Sequence, residues 1–222
     1  MNVLFDLDGT LADPFEGISK CISYALVTLG RKQPPRKDLR WCIGPPLKNS
    51  LSKLLNTDDD YLAEKALAIY RERFSAVGIY ENEIYEDIPD VLDDLNSLGH
   101  QLFVATSKPI VYAERIIDNF NLQRYFSHIY GSELDGTRND KSSLISYILK
   151  SESITPSETI MIGDREYDMI GAKANGVDGL GVLWGYGSRK ELEVSGASTC
   201  VKRPQDLICT MKVMSNGLLR TC

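Results

Sequence analysis

The chain leaves its first apolar run through FDLDGTLADP, residues 5–14, which places two carboxylates, Asp6 and Asp8, one residue apart. Two ionised carboxylates about 4 Å apart repel by roughly 4 kcal/mol at an effective dielectric of 20. Such a pair calls for positive charge nearby. Other apolar runs end in residues of matching chemistry. QLFVAT (101–106) exits into Thr106, Ser107 and Lys108; ETIMIG (158–163) exits into Gly163-Asp164, with Asp168 four residues on; Lys141 opens a helical pattern between them. Carboxylates in that number suit a hard divalent cation, and an all-oxygen shell suits Mg2+ completed by substrate phosphate. Hydroxyls, backbone amides and a lysine suit phosphate oxygens. An aspartate beside the cation is a competent nucleophile towards phosphorus. Each residue alone has a plainer reading, since Asp after a strand is a common helix cap and Gly-Asp a common turn. The agreement of several strand ends carries the argument.

These residues need a scaffold that brings strand ends together. NVLF (2–5) reads as a buried strand. The stretch from about Pro14 to Tyr80 reads as helical: Ile18, Cys21, Ile22, Ala25, Leu26 and Leu29 form one stripe, Gly30 ends it, and Gln33-Pro-Pro-Arg36 breaks the chain. Two further helical pieces follow, at about 46–55 and 58–76. From Glu86 onward helices alternate with strands at 101–106, 128–131, 158–163, 179–184 and about 198–202, with a final helix from Pro204 to about Met214. That alternation predicts an α/β fold with a doubly wound parallel sheet. In such sheets ligands bind beyond the carboxyl ends of the strands. The expected division is an α/β core of residues 1–13 and 83–222, interrupted by an α-helical cap of residues 14–82.

Composition narrows the partners. The 222 residues carry a net charge of −6, from 31 acidic against 25 basic side chains, which argues against nucleic acid or anionic membrane. The two histidines, His100 and His128, stand at loop-to-strand junctions and are read as non-catalytic. The five cysteines, Cys21, Cys42, Cys200, Cys209 and Cys222, form no CxxC and are read as free thiols in a reducing compartment. No apolar run is long enough to span a membrane, and the first strand starts too early for a signal peptide. The expectation is a soluble cytoplasmic protein, monomer or homodimer, ending in a loose tail, SNGLLRTC.

The ordered motifs resemble the haloacid dehalogenase (HAD) superfamily, in its phosphatase branch with a small helical cap after the first strand. DxDGT stands as Asp6-Leu7-Asp8-Gly9-Thr10, the strand ending in Thr is VATSKP with Thr106, and GDxxxD is Gly163 to Asp168, followed by GAKANG. The motif lysine is best matched by Lys141, 23 residues before Asp164, with Lys108 and Arg138 as the other candidates. The resemblance implies an HAD-like Rossmannoid core and a phosphatase acting on a small phosphomonoester. It implies Asp6 as nucleophile, forming an aspartyl-phosphate, and Asp8 as the acid that protonates the leaving oxygen and then activates water. Asp6, Asp8 (through its backbone carbonyl), Asp164 and Asp168 would serve Mg2+. Gly9, Thr10, Thr106, Ser107 and Lys141 would face the phosphoryl group. Dehalogenase and phosphonatase members lack an acid at the position of Asp8, so Asp8 favours phosphoester chemistry.

Within the cap, IGPPL (43–47) resembles the loop that phosphoglycolate phosphatase-like members point into the site, which makes Gly44, Lys48 and Arg40 candidate substrate contacts. A rigid proline break opening a helix is the alternative reading. WGYG (184–187) also resembles that group, and a tryptophan packed beside a glycine turn is the reading adopted for it. Phosphoglycolate is the first substrate expectation. A nucleoside 5'-monophosphate is the alternative, and a sugar phosphomutase or a phosphate-binding receiver-like module stand behind it. A response-regulator receiver would carry its phosphoacceptor at the third strand and no cap.

Overall fold

The chain runs from a first strand, β1 (Asn2–Phe5), through a helical segment and then into a regular alternation of helix and strand. A computed structural model describes residues 1–215; the rest of the expected tail, residues 216–222, lies outside the described residues. After β2 (Ala12–Asp13) come α1 (Phe15–Thr28), α2 (Leu47–Leu55), α3 (Asp60–Ala76) and β3 (Glu83–Ile84). Then follow α4 (Ile88–Ser97), β4 (Gln101–Pro109), α5 (Ile110–Asn119), β5 (His128–Ser132), α6 (Lys141–Ser151) and β6 (Thr159–Gly163). The last elements are α7 (Glu166–Ala174), β7 (Asp178–Val182), α8 (Arg189–Ser195), β8 (Ala197–Val201) and α9 (Asp206–Ser215).

Six strands form one parallel sheet in the order β5-β4-β1-β6-β7-β8. Alternate residues of a strand point to opposite faces. Leu4, Phe103, Ala105 and Met161 join Leu144, Ile145 and Ile148 of α6 and Ala172 of α7 in one core cluster. Val3, Phe5, Val104, Ile160 and Ile162, on the opposite phase, are also fully buried. Both faces are therefore covered, as expected for a parallel sheet with crossover helices. The chain proceeds from β1 to β4 and β5, then returns to the other side of β1 for β6, β7 and β8. That reversal sets the carboxyl ends of β4, β1 and β6 side by side, which is the position where open α/β sheets bind ligands.

The chain divides into two compact units, one of residues 1–12 and 84 onward and one of residues 13–83, with β2 and β3 straddling the boundaries. The second unit is helical. Ile18, Cys21, Ile22, Ala25 and Leu26 of α1 are buried, as are Ala63, Ala66, Leu67, Tyr70 and Phe74 of α3. α1 and α2 both pack on α3. Gly30, at φ +67°, lies just beyond α1 as the sequence predicts.

Two details of the sheet and helices differ from expectation. β4 continues three residues past Thr106, because a register shift between Ala105 and Pro109 lets Pro109 pair with Ser132. α8, absent from the sequence reading, forms between the Ser188 cap, whose hydroxyl accepts from the Glu191 amide at 3.1 Å, and Gly196 at φ +111°. It buries only Leu192 fully, so it leaves no apolar stripe to detect. Among the cysteines, Cys21, Cys42 and Cys200 are free thiols, the first two buried.

Candidate active site

Asp6 sits where β1 ends. Its amide donates to the Ile162 carbonyl at 2.9 Å, so sheet pairing holds the residue in place even beyond the strand. The backbone then turns sharply. The Leu7 carbonyl accepts from the amides of Leu11 at 3.0 Å and Ala12 at 3.1 Å, and the Gly9 amide donates to the Ala12 carbonyl at 2.8 Å. Gly9 takes φ +86°, and a Cβ there would lie 2.3 Å from Asp164 Oδ2. Only glycine serves both demands.

Lys141 opens α6, capped by Asp140, whose carboxylate accepts from the Ser143 amide at 3.0 Å. Its ammonium lies 2.9 Å from Asp6 Oδ1 and 2.7 Å from Asp168 Oδ1, and it donates to the Ala105 carbonyl at 2.8 Å. The lysine side chain is 3% exposed, so its three protons are directed to three fixed acceptors. Asp164 follows β6 directly, with Oδ2 accepting from the Tyr186 amide at 2.7 Å and Oδ1 3.5 Å from the Thr10 hydroxyl. Asp168 stands in the first turn of α7, where Oδ2 accepts from the Arg165 amide at 3.1 Å. Because α7 begins at Glu166, Asp164 and Asp168 do not share a helical face; the capping turn brings them together.

Oxygens of Asp6, Asp164 and Asp168 lie within 4.8 Å of one another, all buried. At that separation each ionised pair repels by roughly 3 kcal/mol at an effective dielectric of 20. Three carboxylates share one ammonium, leaving a formal charge of −2 in a buried place. Burial pushes the Asp164 carboxyl well above its ordinary value, and the Asp168 and Asp6 charges add to this. The Asp168 carboxyl is raised to about 6, by burial first, against the pull of Lys141. Burial depresses the Lys141 ammonium, yet Asp168 and Asp6 outweigh it and hold the lysine charged. A buried all-oxygen donor set with that deficit fits a hard divalent cation.

Asp8 lies apart from this cluster. Its Oδ1 meets Lys108 Nζ at 2.7 Å, and burial raises its carboxyl despite that ammonium. The part expected of Asp8 at the metal falls to its backbone carbonyl, and its carboxylate faces the second lysine. The two lysine candidates divide the DxD pair between them, Lys141 on Asp6 and Lys108 on Asp8. Arg138 pairs instead with Glu133. Thr106 is buried at the end of the central part of β4, its hydroxyl accepting from the Lys108 amide at 3.2 Å. The Ser107 carbonyl accepts from the Ser132 hydroxyl at 2.8 Å. The amides of Gly9 and Thr10 close the turn after β1.

Gly44 and Lys48 belong to the helical unit. Gly44 takes φ +102° in the loop before α2. Lys48 is paired with Asp60 at 2.7 Å and Glu64 at 2.6 Å. The sequence reading missed the Tyr186 amide on Asp164 and the link from Trp184 Nε1 to the Thr10 carbonyl at 3.0 Å. The WGYG sequence was the available signal.

With this geometry in hand, the family model described as haloacid dehalogenase-like hydrolase matches residues 3–182. The chain belongs to that family. It is 47% identical to a 5'-nucleotidase of Pseudomonas aeruginosa over 191 residues, 86% of each protein. It is 36% identical over 185 residues to the tyrosine-protein kinase PtkA of Mycobacterium tuberculosis, 83% of this chain and 62% of that protein. The crystal structure of a predicted phosphatase from Clostridium acetobutylicum superposes with a TM-score of 0.91 at 41% identity, covering 95% of this chain and 97% of that one. Phosphoglycolate phosphatases are similar at lower identity, 27% for the Aquifex aeolicus protein over 98% of each chain. As a member of this hydrolase family with phosphatase relatives, the chain is a phosphoric monoester hydrolase. The family works with a divalent metal, and the acidic cluster is where this chain would hold one. Among the described residues, no helix is long and apolar enough to cross a membrane.

Proposed function

We propose that the chain hydrolyses small phosphomonoesters through an aspartyl-phosphate on Asp6, with Mg2+ as cofactor. The observation that carries this reading is Lys141 buried between Asp6 and Asp168, with Asp164 in the same carboxylate cluster. Asp6, Asp164 and Asp168, with the backbone carbonyl of Asp8, are the groups assigned to Mg2+. When bound, the cation neutralises phosphoryl oxygens and orients them for attack. Lys141 holds Asp6 in place through its 2.9 Å contact, and shares the phosphoryl charge with the Thr106 hydroxyl.

In the first step an Asp6 carboxylate oxygen bonds to phosphorus while the bond to the ester oxygen breaks. Asp8 gives its proton to the departing oxygen, so the product leaves as an alcohol. Burial raises the Asp8 carboxyl, which suits a proton donor, and Lys108 stabilises the carboxylate left behind. In the second step Asp8 takes a proton from water as that water bonds to phosphorus. The bond to Asp6 breaks, phosphate departs, and both carboxyls return to their starting states.

For substrate, the 47% identity to a 5'-nucleotidase exceeds the 27% to a phosphoglycolate phosphatase, so we place nucleoside 5'-monophosphates first and phosphoglycolate second. We assign the helical unit of residues 13–83 the selecting role of a cap. The test is phosphate release from nucleoside monophosphates, 2-phosphoglycolate and sugar phosphates, with Mg2+ and with chelator. Mg2+-dependent release, fastest on a nucleotide, supports the reading; release that persists in chelator, or none from any ester, overturns it.

A further inference from the structure

The loop after β7 takes no part in the steps above, yet it holds the Asp164 loop at several points. The Tyr186 amide ties Asp164 Oδ2 at 2.7 Å, which fixes the rotation of the carboxylate. Trp184 Nε1 donates to the Thr10 carbonyl at 3.0 Å, and the Thr10 hydroxyl stands against the other oxygen of Asp164. Glu191, near the start of α8, accepts from the Glu166 amide at 3.0 Å and from Arg165 Nε at 2.8 Å, so the residues that follow Asp164 are held as well.

The glycines of WGYG give this loop its close approach. A Cβ on Gly185 would lie 2.4 Å from Asp164 Oδ2 and 2.4 Å from the Gly9 carbonyl oxygen. A Cβ on Gly187 would lie 1.9 Å from the Asp164 carbonyl oxygen. Asp164 is fully buried and lies beside two carboxylates whose charges repel it. Groups that orient metal-ligating carboxylates typically contribute 10–100-fold in metal affinity.

We propose that residues 184–191 form a clamp that positions Asp164 for a divalent cation, with Gly185, the Tyr186 amide and Glu191 as positioning residues. The clamp rests on the reading of Asp164 as a cation ligand, and the experiment separates the two. Mn2+ alone is titrated into the full chain and followed by electron paramagnetic resonance, for the parent and for Asp164→Asn, Gly185→Ala, Glu191→Ala and Glu191→Gln. Thermal melting in chelator is recorded beside each titration. Gly185→Ala and Glu191→Ala are expected to weaken Mn2+ binding about tenfold or more. Glu191→Gln, which keeps an oxygen for the Glu166 amide, is expected to recover part of that loss. If Asp164→Asn loses Mn2+ while Gly185→Ala and Glu191→Ala bind as the parent does, the clamp is overturned and the cation reading stands. If the parent binds no Mn2+, or Asp164→Asn binds it unchanged, both fall. Should Gly185→Ala fail to fold, the two Glu191 variants decide the matter.

Discussion

Two charge clusters occupy the two units of this protein, and they are built on opposite principles. In the helical unit, Glu81 accepts from Arg73 at 2.8 and 3.2 Å and from Lys20 at 2.9 Å, while Glu16 pairs with Arg36 and Lys20. Two carboxylates there meet three cations, and the side chains are 21–48% exposed. At the sheet edge three carboxylates meet one cation, and Asp168 and Lys141 are 1% and 3% exposed. The first arrangement neutralises itself in contact with water. The second is short of positive charge, a deficit that the metal-free chain meets by holding protons and that a bound cation would meet in their place. Charge deficit under burial, rather than the number of ion pairs, separates a site from a scaffold.

The contrast can be broken by substitution, beginning where the effect is greatest. Asp6→Asn keeps the shape but removes the nucleophile, and turnover should fall at least about a thousandfold on the scale measured for nucleophile deletions; steady-state assay of purified protein checks this. Lys141→Ala leaves three buried carboxylates without their cation. It should destabilise the metal-free protein by about 3–5 kcal/mol, as breaking buried pairs does, read from urea unfolding. By comparison, Arg73→Ala strips Glu81 of its principal partner in a half-solvated setting and should cost about 1–2 kcal/mol. Glu16→Ala should change stability by no more than about 0.5 kcal/mol, since exposed pairs contribute little.

Acid and base should act on the two clusters with opposite sign. The Asp168 carboxyl is raised to about 6 from an ordinary value of 3.8. Between those values the folded, metal-free chain holds a proton that the unfolded chain has lost, so the site's contribution to stability falls as pH rises from about 4 to 6. Glu81 is held below its ordinary 4.5, chiefly by the Arg73 hydrogen bond, so its contribution is complete above 4.5 and is lost as pH falls below it. Melting curves of the metal-free protein across this range should show the first trend, and Asp168→Asn should lessen it, leaving the part that the raised Asp164 carboxyl contributes. A slope unchanged by Asp168→Asn would place the buried proton elsewhere.

Much of the fold was legible in the order of apolar runs, because a strand buried on both faces must be apolar throughout and a helix must carry a stripe. β1, β4 and β6 and the helices of residues 15–76 were visible for that reason. α8 was not, since a seven-residue helix burying only Leu192 fully has no stripe to show. At the site, the types and order of Asp6, Asp8, Thr106, Lys141, Asp164 and Asp168 were readable, because each stands where an apolar run ends or a helix begins. Which lysine serves which aspartate was not, since Lys108 and Lys141 both follow from local sequence, and the partner depends on where β4 and α6 end in space. The WGYG loop was seen but its contact was not, because a glycine records that something is close without recording what.

The sequence by itself determined the parallel α/β architecture, the inserted helical segment and the residue types of a carboxylate-rich phosphoryl site, all of which follow from periodicity and from chemistry at strand ends. Tertiary structure alone decided that Lys141 lies between Asp6 and Asp168, that Lys108 takes Asp8, and that the loop after β7 closes on Asp164. These are contacts between residues up to 135 positions apart in the chain. They are set by the order in which parallel strands pair, and no local pattern encodes that order.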